Sequence, residues 1–199
     1  MREFKLLERL KGHREKWLRK ILFFFMVAFS IPVFSQTVSL RNNVIYGARG
    51  ILNLGVEVST FTQQSLVLQV GYNPWEWGDN KKRQLLLFQP EYRYWFTDVY
   101  MGHFVGVQAH YAKYDYAKTT PLTTITNNRY DGSALGIGFT YGYQFILSRH
   151  WNLEASFSVG YARLNYKKYG PEKGDLLKEK SKVNYFGPTQ LGLTFIYII

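Results

Sequence analysis

Eight runs between residues 36 and 199 alternate with period two between bulky apolar side chains and small or polar ones. Period two is the signature of a strand, because successive side chains point to opposite faces. The clearest run is 151–163. Trp151, Leu153, Ala155, Phe157, Val159 and Tyr161 share one face, and Asn152, Glu154, Ser156, Ser158, Gly160 and Ala162 share the other. In 135–147, Leu135, Ile137, Phe139, Tyr141, Tyr143, Phe145 and Leu147 oppose Gly136, Gly138, Thr140, Gly142, Gln144 and Ile146. The noisier runs are 38–46, 52–60, 65–75, 85–96, 103–115 and 185–199. No part of 36–199 reads as a long amphipathic helix.

The second face decides the architecture. A soluble sandwich turns its bulky face inward and solvates the other, which is then rich in long charged residues. Here the second face is mostly Gly, Ser, Ala, Asn and Gln. Such residues fit the cramped interior of a narrow barrel, and the bulky face then points to lipid. Tilted strands of about 9–11 residues cross a bilayer. Eight strands leave an interior just filled by side chains. The expected fold is all-β: an eight-stranded, antiparallel, up-and-down transmembrane β-barrel preceded by a signal peptide.

Connection lengths point the same way. The connections fall near 47–50, 61–64, 76–84, 97–102, 116–130, 148–150 and 168–183, and the long ones all occupy odd-numbered gaps. Outer-membrane barrels have short periplasmic turns and longer external loops. The first gap, 47–50, is the exception. Aromatic residues at strand ends form two expected interfacial girdles: Tyr72, Trp75, Trp77, Tyr111, Tyr114, Tyr161 and Tyr166 on the loop side, and Trp95, Phe96, Trp151 and Tyr197 on the turn side. Pro90 falls inside the fourth strand. It lacks a ladder donor, so a bulge or local break is expected there.

The first 35 residues read as an export address. Residues 1–20 carry eight basic and three acidic residues, and 21–35 (ILFFFMVAFSIPVFS) carry no charge. A basic segment, a short apolar segment and small residues at a cleavage point make a secretory signal. Val33 and Ser35 take the −3 and −1 positions, which places cleavage between Ser35 and Gln36. Fifteen apolar residues fall short of the ~20 needed to span a bilayer as a helix. The domains expected are therefore a signal peptide, 1–35, and an outer-membrane β-barrel, 36–199. Residues 36–199 hold 17 basic and 11 acidic residues, so the leader supplies nearly half of the net charge of +11. The basic balance is thus a weak pointer to nucleic acid, and no nucleic-acid partner is expected. The absence of cysteine excludes a disulfide scaffold, a thiolate metal site and a catalytic thiol.

The inward face carries five charges: Arg41, Glu57, Glu91, Arg93 and Glu154. Unpaired in a low dielectric, each would cost several kcal/mol. They are therefore expected to form a connected lumen network, helped by Asn43, Gln69, Gln108 and Gln144, that plugs the barrel. His110 faces inward as a structural histidine. No zinc-ligand spacing, phosphate loop or nucleophile elbow is present, so neither catalysis nor a cofactor is expected. The basic residues Lys81, Lys82, Arg83, Lys167 and Lys168 lie in expected external loops and are candidates for binding acidic groups.

Several motifs carry a family resemblance. They are Leu40-Arg41-Asn42-Asn43-Val44-Ile45-Tyr46, Asn53-Leu54-Gly55-Val56-Glu57, Gly71-Tyr72-Asn73-Pro74-Trp75, Gln89-Pro90-Glu91-Tyr92-Arg93-Tyr94-Trp95, Gly102-His103-Phe104, Trp151-Asn152-Leu153-Glu154, Gly160-Tyr161-Ala162-Arg163 and Asn184-Tyr185-Phe186-Gly187-Pro188-Thr189. Over 36–199 the chain resembles an uncharacterised, domain-of-unknown-function family of Bacteroidota outer-membrane β-barrels, similar in architecture to OmpA and OmpX. Members are often encoded near fimbria-assembly genes. The resemblance implies an outer-membrane location in a Gram-negative bacterium and a surface or fimbrial role, and it carries over no catalytic residues. The segment Gln190-Leu191-Gly192-Leu193-Thr194-Phe195-Ile196-Tyr197 also resembles the signal read by the barrel-assembly machinery, without the usual terminal Phe.

The expected partners are outer-membrane lipid and lipopolysaccharide, the barrel-assembly machinery, and fimbrial or surface proteins. The expected function is a non-enzymatic envelope scaffold or surface-binding barrel with a plugged lumen. The alternatives are a lipid-modifying barrel enzyme and a narrow pore. The leader makes a direct prediction: N-terminal sequencing of the exported protein begins at Gln36, and a first residue upstream of Ile21 would refute the leader.

Overall fold

A computed structural model describes residues 37–77, 81–117, 129–170 and 177–199. The leader expected over 1–35 lies outside them. The elements are β1 (Val38–Asn43), a short helix α1 (Val44–Ala48), β2 (Leu52–Phe61), β3 (Gln64–Trp77), β4 (Lys81–Trp95), β5 (Gly102–Ala117), β6 (Arg129–Ile146), β7 (Trp151–Tyr169) and β8 (Leu177–Ile198). Each strand pairs antiparallel with its sequence neighbours, and β1 closes the ring on β8, from Ser39↔Ile198 to Asn43↔Thr194. The result is an eight-stranded, up-and-down barrel. Closure pairs strand edges that an open sheet would leave bare.

The polarity of the barrel is inverted relative to a soluble protein. On β6 and β7, Phe139 is 68% exposed and Phe157 47%, and Leu193 on β8 is also exposed. Between them along the same strands, Thr140, Glu154, Ser156, Ser158 and Thr194 are buried. The bulky faces thus form the outer wall, and the small polar faces fill the interior.

The first strand is shorter than its sequence pattern suggests. The alternation places strand over 38–46, but β1 ends at Asn43 and Val44–Ala48 turn into α1. Asparagine side chains produce the change. Asn43 caps α1 by accepting from the Ile45 N–H at 3.0 Å. The Asn53 side chain then replaces the ladder: its Oδ1 accepts from the Asn43 N–H at 2.7 Å, and its Nδ2 donates to the Asn43 carbonyl at 2.9 Å. An asparagine side chain competes with the sheet for backbone partners in this way. The first gap therefore runs over 44–51, longer than the 47–50 expected, because residues that would have lengthened β1 form the helix instead.

The opposite difference appears in the second half of the chain. β5, β6, β7 and β8 have 16, 18, 19 and 22 residues. Of the expected loops, residues 116–117 and 129–130 of one and 168–169 and 177–183 of the other are strand. Tyr114, Tyr116, Tyr130, Tyr166 and Tyr169 are good strand formers. Tyr114 stacks on Tyr116, and Tyr130 meets Tyr166 edge-on. Arg129 clamps the β5–β6 pair with two hydrogen bonds to Asp115, at 2.8 and 2.6 Å. That carboxylate holds the Arg129 guanidinium above its ordinary range. Both faces are polar here, so hydrophobic alternation gives no strand signal.

Pro90 interrupts one ladder only. Pairing of β4 with β5 passes from Phe88↔Tyr111 to Glu91↔Gln108 without a pair between and without a change of register. On the other side Leu68↔Pro90 is kept. The expected break is therefore present, on the β5 side. A bulge the sequence did not announce lies between β7 and β8, where Ser158↔Gln190 is followed by Val159↔Pro188 and Thr189 is the extra residue. An odd residue inverts facing. Below Thr189 the outward residues of β8 are Leu191, Leu193 and Phe195; above it they are Phe186, Asn184, Lys182 and Lys180.

Four aromatic residues depart from the expected girdles. Trp95 is fully buried in the lumen. Trp75 takes the inward face and donates its Nε1–H to the Gly50 carbonyl at 2.7 Å. Tyr114 and Tyr166 share an inward-facing row with Gly132. In each case the residue number has inward parity, and closeness to a strand end does not override it. Tyr72, Tyr111, Tyr161, Phe96, Trp151 and Tyr197 do lie exposed on the outer wall. The side chain of Trp77 lies outside the described residues.

Gly160 marks the tightest approach to backbone among the described glycines. A Cβ there would sit 2.2 Å from the Ile137 carbonyl oxygen and 2.6 Å from the Gly138 Cα. Both are backbone atoms and cannot swing aside. Gly160→Ala is predicted to destabilise the barrel by about 1–3 kcal/mol, the usual cost of overpacking. The readout is the temperature at which the folded band is lost on an unheated-to-heated gel series, and an unchanged midpoint would contradict the packing.

Candidate functional site

The lumen is filled in layers. Near the end with the short turns, Trp95 and Phe104 are fully buried, with ring centroids 4.8 Å apart, and Tyr100 packs against Trp95. Tyr100 comes from the β4–β5 turn and has φ +70°, a left-handed conformation that side chains other than glycine rarely adopt. Its hydroxyl donates to the carbonyls of Thr37 at 2.9 Å and Glu57 at 3.1 Å. The Trp95 Nε1–H donates to Ser65 Oγ at 2.9 Å, and that hydroxyl donates to Glu57 Oε1 at 2.6 Å. The aromatic stopper is thereby tied to the charges above it.

Those charges are the five inward residues named from the sequence. Arg41 from β1 bonds Glu57 of β2 and, at 2.6 Å, Glu154 Oε2 of β7. Arg93 from β4 bonds Glu154 Oε2 at 2.7 Å and Glu91 Oε2 at 3.0 Å, and lies 3.7 Å from Glu57 Oε2. Its guanidinium also covers the Phe104 ring at 4.2 Å from the centroid. All five side chains are at most 3% exposed. Two guanidiniums shared by three carboxylates join four strands across the lumen. Charge-assisted bonds of this kind are the strong ones.

An amide layer follows. Gln89 donates to Gln108 and, at 2.6 Å, to Gln190. Gln108 donates to Thr189 Oγ1 at 3.3 Å, and Thr140 meets Ser158 at 2.9 Å. Of the four expected helpers, Gln69 bonds Asn53 at 3.0 Å and Asn43 reaches the Leu191 carbonyl at 3.5 Å. The Gln144 amide makes no hydrogen bond among the described residues. Above this layer His110 borders a cleft of about 250 Å³ with Ala134, Ala162, Leu164, Tyr185 and Pro188. No group of three or more metal-ligating side chains occurs among the described residues.

The expected loop-binding residues do not form one site. The side chains of Lys81 and Lys82 lie outside the described residues. Arg83 and Lys168 share an inward-facing row at the mouth with Tyr116 and Tyr130, and Arg83 donates to the Arg49 carbonyl at 3.5 Å. Lys167, one residue from Lys168, is exposed on the outer wall. Sequence reasoning missed the inward role of Trp95 and Tyr100, and it missed Lys113 and Arg163 as outer-wall cations. The parity of Trp95 and Lys113 was available; the folding-in of Tyr100 was not.

A model of a family described as a protein of unknown function (DUF3575) matches residues 21–199. The chain belongs to this family. No curated protein matches it.

Glu154 is the hub of the network. Glu154→Gln keeps its shape but removes the charge that both guanidiniums share, and breaking a buried pair costs about 3–5 kcal/mol. The variant is predicted to lose its folded gel band at a much lower temperature or urea concentration than the parent. Lys180→Gln, on the exposed wall, is predicted to leave the transition unchanged.

Proposed function

We propose that residues 36–199 form an integral outer-membrane barrel of a Gram-negative bacterium, solid through its middle. It acts as an envelope scaffold whose long-hairpin end meets envelope glycolipid or surface components, fimbrial proteins among them. The observation that carries this reading is the inverted polarity. The outer wall presents Leu54, Leu68, Phe88, Val107, Ile137, Phe139, Phe157 and Leu193 to the surroundings, while charged and amide side chains occupy the interior. Contiguous apolar surface of this extent does not stay in water in a monomer. On β6 the exposed apolar run is 135–145 and on β7 it is 151–161, which matches the ~9–11 residues of a tilted transmembrane strand. The start of β1 and the end of β8 pair at the short-turn side, through Ser39↔Ile198, the arrangement expected when the longer hairpins face outward.

The filled lumen supports a scaffold over a channel. The stopper, the ion cluster and the amide layer follow one another along the axis, with bonds running from wall to wall. In planar bilayers the purified mature chain is predicted to give no steady conductance, and regular open-channel steps would turn the reading to the pore. The mature chain is predicted to need detergent or lipid to remain dispersed and to fractionate with the outer membrane. A soluble monomer without detergent would overturn the membrane assignment. An altered acyl pattern in lipid A from a deletion strain would turn the reading to the enzyme.

A further inference from the structure

On the outer wall of β5–β8, strand register stacks five rows that change character abruptly with height. Val107, Phe139, Val159 and Pro188 form one row, and Ala109, Ile137, Tyr161 and Phe186 the next. Above them come Tyr111, Leu135, Arg163 and Asn184; then Lys113, Ser133, Asn165 and Lys182; then Asp115, Asp131, Lys167 and Lys180. The Thr189 bulge is what turns Lys180, Lys182 and Phe186 outward to join these rows. Same-face rows are ~6.7 Å apart along a strand. Three successive rows therefore gather Lys113, Arg163, Lys167, Lys180 and Lys182 directly above an apolar wall.

All five cations are exposed, and none belongs to an ion pair among the described residues. Asp115 is held by Arg129, which leaves Asp131 as the acid facing them among the described side chains. Four of the lysines line one cleft of about 730 Å³, together with Tyr111 and Asp131. The patch thus carries net positive charge, is open to one side, and continues downward without a break into exposed Phe186, Ile137 and Phe139.

We infer that this cleft is a binding site for a lipid with a phosphate-monoester headgroup, seated in the outer leaflet with its acyl chains along the wall of β5–β8. The inference rests on the membrane reading given above. Charge complementarity selects an anion, and clustered lysines suit phosphate oxygens as point charges. The contiguous apolar wall selects an amphiphile over a free anion. Exposed charges are screened by salt, so binding weakens as ionic strength rises.

The test uses the mature barrel reconstituted in nanodiscs of zwitterionic lipid, titrated with bis-phosphorylated lipid A, with the same lipid A after phosphatase treatment, and with inorganic phosphate. The phosphorylated lipid is expected to bind at least ten-fold more tightly than the dephosphorylated one. The triple variant K113Q/K167Q/K182Q, all on the exposed wall, is expected to lose that preference while keeping the parent's folded gel band. K81Q/K82Q is expected to retain it. Equal binding of the two lipids, or full preference in the triple variant, overturns the site. Displacement of the lipid by millimolar inorganic phosphate overturns the lipid assignment in favour of a free anion. Failure of the chain to insert into nanodiscs of any composition counts against the membrane reading itself, whereas insertion without headgroup preference counts against this site alone.

Discussion

Two arginines shared among three carboxylates hold the centre of this barrel together. Arg41, Glu57, Glu91, Arg93 and Glu154 come from β1, β2, β4 and β7, and none reaches water to any useful extent. In a low dielectric such charges persist only when each finds its partner in good geometry. That requirement links distant strands and sets the lumen cross-section. Glycines beside the ions follow from it. Gly106, for one, leaves room for Glu91, whose Oε1 would lie 2.5 Å from a Cβ at that position.

The layers on either side of the ions depend on them. Ser65 is at once a donor to Glu57 and the acceptor of the Trp95 N–H, so the aromatic stopper is placed by the charge cluster. Tyr100 adopts a left-handed backbone, at a cost on the order of 1 kcal/mol, and its hydroxyl and ring are both used inside the barrel. Interior polarity and exterior hydrophobicity are thus two sides of one alternation: each inward polar residue obliges its neighbours on the same strand to face out.

The two ends of the molecule obey different rules. At the short-turn end, the start of β1, the end of β8 and tight connections close the ring. At the other end, β5 to β8 continue as polar hairpins held by tyrosine contacts and the Arg129–Asp115 clamp. Their outward face replaces leucine and phenylalanine with lysine within one or two rows. A wall that changes from apolar to basic over so short a rise is suited to a boundary between hydrocarbon and phosphate, the environment proposed for it.

The alternation in 36–199 was enough to give eight strands, their antiparallel order, which face looks inward, and the identity of the five buried charges, because period two is a local property that each strand writes in its own residues. Trp95 and Trp75 were misplaced by reading position along the strand ahead of parity, and parity alone would have turned them inward. Other features were not local. The end of β1 at Asn43 depends on Asn53, the facing of Lys180 and Lys182 depends on an extra residue at Thr189 opposite β7, and Tyr100 enters the lumen only because Thr37 and Glu57 present carbonyls there. Extension of β5–β8 likewise needed Arg129 to meet Asp115 across a hairpin. Which residues alternate was settled along the chain; which partners they meet, and where a strand stops or slips by one, was settled between strands, where hydrogen bonds and ion pairs join residues that the sequence keeps far apart.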